Sequence, residues 1–157
     1  RHCDIAVGNE EDAEKVFGIR APGAGVEAGD VEAGKYGAVA EELKTRFPNL
    51  SLIAITLRGS ISASHNTWSG ILYNGKRLYD GPRFDIAHIV DRVGAGDAFA
   101  AGLIYGLRTY GKGLQKALDF AVAASCLKHS IAGDVNRVGV EDVEKAMAGE
   151  TSGRVSR

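Results

Sequence analysis

The sequence predicts an α/β domain, a sheet with helices on both faces. Three observations carry this expectation. Short apolar runs at Cys3–Val7 and Leu50–Leu57 are rich in β-branched and aliphatic residues and too short to be helices. Longer segments with helical spacing separate and follow them, at Lys35–Phe47, Gly94–Leu107 and Gly113–His129. Between the two classes, Gly94-Ala95-Gly96-Asp97 turns a loop into a helix with little side-chain bulk.

Composition bounds the rest. With 157 residues, 45% of them hydrophobic, the chain can bury one core, so a single domain spanning 1–157 is expected. A net charge of −1 gives no electrostatic reason to expect nucleic acid or an acidic membrane surface as partner. No apolar run approaches the roughly 20 residues needed to span a bilayer, and nothing resembles a signal peptide. Cys3 and Cys126 lie far apart with no metal-like spacing, so two reduced structural thiols and a cytoplasmic location are expected. His2, His65, His88 and His129 are likewise isolated, which argues against a protein-bound zinc. The chain opens on Arg1 with an apolar run almost at once; we read it as the C-terminal part of a longer protein.

Taken in order, Cys3–Val7 is expected to be a short buried strand ending at Gly8. Asn9-Glu10-Glu11-Asp12 follows, and Asn9 suits an N-cap of a helix over about Glu10–Phe17. Arg20–Gly34 is rich in Gly, Ala and acids and reads as a flexible insertion. Its Gly23-x-Gly25-x-x-x-Gly29 lacks both the preceding strand and the spacing of a dinucleotide loop. The helix from Lys35 stops before Pro48. Leu50–Leu57 suits a central strand of a parallel sheet, with Thr56-Leu57-Arg58-Gly59-Ser60 as the turn beyond its end. Trp68, Ile71 and Tyr73 before Asn74-Gly75, and Leu78 and Tyr79 after it, make a β-hairpin. Trp68 is either packing or a platform for a purine. The second long helix carries Ala121, Ala123, Ala124 and Ser125, which permit close approach of a neighbouring helix or a flat base. Glu141–Met147 forms a terminal amphipathic helix.

The chemistry concentrates at Asp91–Gly102. The first amides of a helix have no intrahelical partner and the macrodipole is positive there. Amides of Gly94, Ala95 and Gly96 can therefore converge on an anion such as a transferring phosphoryl group. Asp97 beside them is placed to take a proton from an attacking hydroxyl. The competing reading is structural: small residues for tight packing and a first-turn Asp that suits the dipole.

Asp91 through Leu103 resembles the signature of ribokinase-like (PfkB-type) carbohydrate kinases, Asp-Thr-x-Gly-Ala-Gly-Asp followed by small residues. It departs at Arg92, where that family usually carries Thr. The Asp-Arg-x-Gly-x-Gly-Asp-x-Phe-x-Ala-Gly-Leu form is similar to the branch of 2-dehydro-3-deoxygluconate (KDG) kinases. The resemblance covers essentially the whole chain. It implies the C-terminal part of a ribokinase-like, Rossmann-type sheet, with the N-terminal half and its lid absent. It implies ATP-dependent phosphorylation of a sugar-acid hydroxyl, KDG to its 6-phosphate, with Asp97 as base and ATP and Mg²⁺ as cofactors. Asn9 and Asp12 resemble the family's Asn-x-x-Glu motif near metal and phosphate. The shorter Asp12 implies contact through water; the alternative is the cap. Thr56, Gly59 and Ser60 match a nucleotide-contacting loop, or else an ordinary turn. Arg92 would add positive charge beside the phosphates. Asp134 matches a sugar-contacting Asp, or a turn residue after Gly133. The family's dimer is built by its lid, so a homo-oligomer is expected only of the full-length protein. The readings held beside this one are another sugar kinase such as a fructokinase, an ATP-binding fragment without turnover, and an interaction module.

Overall fold

The first half of strand β2 (Leu52–Ser62), Ile53–Leu57, is buried on both faces because helices cover both. Ile53, Ile55 and Leu57 point to one side, where they pack with Tyr36, Val39, Ala40 and Leu43 of α2 and Ala13 of α1. Ala54 points to the other, into a core with Phe99 and Leu103 of α3 and Leu118, Ala121 and Val122 of α4. Alternation of side chains at period two, with apolar residues in both phases, is what a doubly covered strand requires. Each fully buried Ile or Leu here contributes about 1.5–3 kcal/mol. The expected α/β layering is therefore present.

The computed structural model describes residues 2–9, 11–21 and 33–149. In chain order the elements are β1 (Ile5–Asn9), α1 (Asp12–Phe17), α2 (Ala33–Arg46), β2 and β3 (His65–Tyr73). They continue with β4 (Leu78–Asp80), β5 (Phe84–Ile86), α3 (Ala95–Tyr110), α4 (Leu114–Lys128) and α5 (Val140–Met147). The sheet runs β1-β2-β3-β4, with β5 also paired to β3. β1 and β2 are parallel, with Asn9 opposite Thr56; the other pairs are antiparallel. Asn74 closes the β3–β4 hairpin, its Oδ1 accepting from the Lys76 and Arg77 amides at 3.0 and 2.8 Å. The α3–α4 contact is close because Gly106 has no side chain: a Cβ there would lie 2.7 Å from Ala117 Cα. The small residues of α4 serve this packing.

Several expectations need correction. The first strand spans Ile5–Asn9 rather than Cys3–Val7, and it is not buried: Ile5 and Val7 are 37% and 44% exposed. It is an edge strand, paired only to β2 among the described residues, with an apolar cleft of about 420 Å³ beside it. The turn expected at Thr56–Ser60 is strand. β2 continues to Ser62 because β3 pairs with it antiparallel, Gly70 opposite Thr56 and Asn66 opposite Ser60, which satisfies the backbone of that whole stretch. The sheet is accordingly mixed, with one parallel pair among the described strands. β5, three residues long, carried no sequence signal of its own. Residues 22–32 of the insertion expected at Arg20–Gly34, Glu10 at the expected helix start and the tail from Glu150 lie outside the described residues.

Candidate active site

The end of β1, the middle of β2, the first part of β3, the start of α3 and the end of α4 enclose a polar cleft of about 180 Å³. Asn9, Glu11, Thr56, Arg58, Trp68, Arg92, Ala95, Gly96 and His129 line it. Five segments distant in sequence meet there, because Asn9 at the end of β1 lies opposite Thr56 of β2 and the start of α3 and the end of α4 pack beside them.

The turn before α3 has a specific geometry. Gly94 takes φ +79°, and a Cβ there would stand 2.0 Å from the carbonyl oxygen of Asp134. Only glycine permits both. The Ala95 amide donates to Arg92 O at 3.3 Å. The amides of Gly94, Gly96 and Asp97 make no hydrogen bond among the described residues. Of the three expected donors, Ala95 is thus partly spent, and the Asp97 amide stands in its place. Asp97 lies exposed in the first turn of α3, and its carboxylate forms no hydrogen bond among the described residues.

Asp134 is exposed, on a loop that backs directly onto this turn at Gly94. Asp91 ties the two loops together, its Oδ1 accepting from the Val93 amide at 3.0 Å and its Oδ2 from the Gly133 amide at 2.8 Å. These two amides, Val93 first, hold the Asp91 carboxyl below the usual carboxylate range. Val90 and Asp91 amides both donate to His129 O. The sequence reading gave Asp91 no role; its position inside the quoted signature was the available signal.

Asn9 and Asp12 hold each other. Asn9 Oδ1 accepts from the Glu11 and Asp12 amides at 2.8 and 3.0 Å, and Asp12 Oδ2 accepts from Asn9 N at 2.7 Å. This is capping chemistry at the start of α1. Asn9 lines the polar cleft, whereas Asp12 faces the apolar cleft beside β1. The carboxylate on the polar cleft wall is Glu11, ion-paired to Lys15 and held below the usual range chiefly by that hydrogen bond. Of the candidates on β2, Thr56 lines the cleft, Gly59 is buried and Ser60 is exposed outside it. Arg58 lines it too.

Trp68 is 6% exposed and packs as core. Its Nε1 donates to Ser125 Oγ at 2.7 Å and its ring meets His129 edge-on, centroids 4.8 Å apart. His129 is 1% exposed and its Nδ1 donates to Ser125 O at 2.8 Å. Burial pushes its pKa below the usual value, so the ring is neutral near pH 7. Unfolding therefore takes up a proton below about pH 6.5 that the folded state refuses. Stability is full above that pH and falls on acidification, by up to about 1.4 kcal/mol per pH unit until the folded pKa is reached. Urea unfolding at pH 7.5, 6.5 and 5.5 should show this slope, reduced in His129→Gln. Equal slopes in the two proteins would refute it.

Cys3 and Cys126 are both free, and burial pushes the Cys126 thiol up to about 12, an inert side chain. Among the described residues no three His, Cys, Asp or Glu side chains cluster as a metal set, and no helix is long and apolar enough to cross a membrane.

The family model described as pfkB family carbohydrate kinase matches residues 1–137. The chain belongs to that family. Solved structures agree with this pfkB-family assignment. A 2-dehydro-3-deoxygluconokinase from Thermotoga maritima is 44% identical, with a TM-score of 0.81, over 94% of this chain and 43% of its own. A PfkB family carbohydrate kinase from Listeria grayi is 30% identical, with a TM-score of 0.73, over 92% of this chain and 41% of its own. A putative 2-keto-3-deoxygluconate kinase from Enterococcus faecalis is 28% identical, with a TM-score of 0.76, over 99% of this chain and 43% of its own. No protein of curated function matches. This pfkB-family chain thus spans less than half the length of the structures it resembles.

Proposed function

We propose that the protein takes part in ATP-dependent phosphorylation of a sugar acid, 2-dehydro-3-deoxygluconate, to its 6-phosphate. The observation that carries this reading is the exposed, unbonded Asp97 carboxylate beside the unbonded amides of Gly94, Gly96 and Asp97, in a chain 44% identical to a 2-dehydro-3-deoxygluconokinase. Asp97 accepts the proton of the substrate's primary hydroxyl as that oxygen bonds to the γ-phosphorus; the bond to the bridging oxygen breaks and ADP leaves. The negative charge on the transferring group's oxygens is met by the free amides and the N-terminal dipole of α3. Arg92 and Arg58 add positive charge from the cleft wall, and Thr56 adds a hydroxyl. Asp134, backed against Gly94, is the candidate for the substrate's hydroxyls.

Mg²⁺, if bound, would neutralise phosphate charge. The donor set fits it: Mg²⁺ asks for one or two carboxylates, phosphate oxygens and several waters. Glu11 would offer a carboxylate on the cleft wall and Asn9 a contact through water, whereas Asp12, bound to Asn9, faces the apolar cleft and would act by holding Asn9.

The coverage of 43% favours a second reading, ATP binding without turnover by this chain alone. Calorimetric titration with ATP and Mg²⁺, beside a coupled ADP-release assay with KDG, separates the readings. We expect ATP to bind. Turnover with KDG supports the full proposal, turnover with fructose instead redirects it to a fructokinase-like substrate, and binding without turnover supports the second reading. A folded sample that binds no ATP refutes both.

A further inference from the structure

One buried polar side chain has no part in the scheme above. Asn66 on β3 is 0% exposed, and its Nδ2 is the buried side-chain nitrogen that lacks a hydrogen-bond partner among the described residues. A buried donor without an acceptor weakens a fold, and a leucine, with the same branched side-chain shape, would occupy the site without that cost. Such residues persist where they serve a site. Asn66 shares its face of β3 with Trp68, two residues on, which lines the polar cleft.

What Asn66 does make is a contact to Arg92. Its Oδ1 accepts from Arg92 Nη2 at 3.4 Å, and the same Nη2 donates to Ala63 O at 2.5 Å. Both hydrogens of Nη2 are thereby taken by the β2–β3 hairpin. The Arg92 side chain makes no other hydrogen bond among the described residues, so Nη1 and Nε keep their three N–H groups. Arg92 lines the same cleft as Gly96 at the start of α3. An arginine held by one nitrogen presents the rest of its fork in a fixed direction, and that fork matches phosphate oxygens.

We propose that Asn66 is a positioning residue for the nucleotide: it aims the Arg92 guanidinium so that the remaining N–H groups meet a phosphate of ATP. The inference rests on the nucleotide reading given above. Without Asn66 the exposed Arg92 side chain keeps one bond, to Ala63 O, and more of its rotamer freedom has to be given up when a phosphate binds.

A double-mutant cycle with ATP and Mg²⁺, and with inorganic tripolyphosphate as a second probe, tests this by calorimetry beside thermal melts. Asn66→Leu should leave the Tm unchanged or raise it, yet weaken binding of both probes about tenfold. In an Arg92→Ala background the same substitution should change affinity by less than about twofold. Asn66→Ala, which removes the accepting oxygen without adding volume, covers the case in which leucine fails to fold. It should weaken binding as strongly, and again only when Arg92 is present. Unchanged affinity in a folded Asn66 variant overturns the inference, as do losses at Asn66 and Arg92 that simply multiply. Wild-type protein that binds neither probe overturns the nucleotide reading as well, an outcome distinct from both.

Discussion

Asp97→Asn is expected to lower kcat by about 10²–10⁴-fold, in any form of the protein that turns over, while ATP affinity changes little. Asparagine keeps the size and the helix start but cannot take a proton. The carboxylate is exposed and bonded to nothing among the described residues, so no local structure depends on its charge. The free amides of Gly94, Gly96 and Asp97 belong to the backbone and survive the change, so the phosphates keep their donors. Steady-state kinetics beside ATP titration decides the matter. A loss concentrated in ATP affinity, with kcat preserved, would move Asp97 from base to nucleotide ligand.

Gly94→Ala should abolish phosphate binding and lower stability by about 3 kcal/mol or more, near 10 °C in Tm for a chain of this size. Two independent obstacles coincide there. The φ of +79° is unfavourable for any residue with a Cβ, and that Cβ would stand 2.0 Å from Asp134 O and 2.8 Å from its carbonyl carbon. Both are backbone atoms, which cannot swing aside as the end of a side chain can. The neighbouring Gly96 supplies the control: a Cβ there meets nothing within 4 Å, and alanine is the better helix former by about 1 kcal/mol. Gly96→Ala should therefore fold at least as well as wild type. Thermal melts of the pair would refute this account if the two variants proved equally stable.

Much was legible without coordinates because it depends on neighbours in the chain. Apolar residues in both phases of Ile53–Leu57 require cover on both faces of a strand, and α2 on one side and α3 with α4 on the other provide it. Asn74-Gly75 specifies its hairpin through the Asn74 side chain and its own backbone. The small residues from Gly94 onward and Ala121–Ser125 announce a close helix pair and a helix start open to an anion. The family follows from the same signature, and the match over residues 1–137 agrees.

Other features were not legible because long-range pairing decides them. Thr56–Ser60 has the composition of a turn, yet β3 extends β2 through it, and of its candidates Thr56 alone reaches the cleft. Asn9 and Asp12 suit either a metal motif or a cap, and the two carry out the cap. Which carboxylate faced the cleft depended on the direction in which α1 leaves β1, and it is Glu11.

The sequence by itself determined the α/β class, the hairpin and the candidate phosphoryl-transfer turn, since each is written in residues a few positions apart. The tertiary structure decided the rest. Ala95 spends its amide on Arg92 O, Asp91 joins the turn to Gly133, and Arg92 is held by Ala63 and Asn66. Such partners are chosen by which loops the packed sheet and helices bring together, and a hydrogen bond depends on that distance in space rather than on separation along the chain.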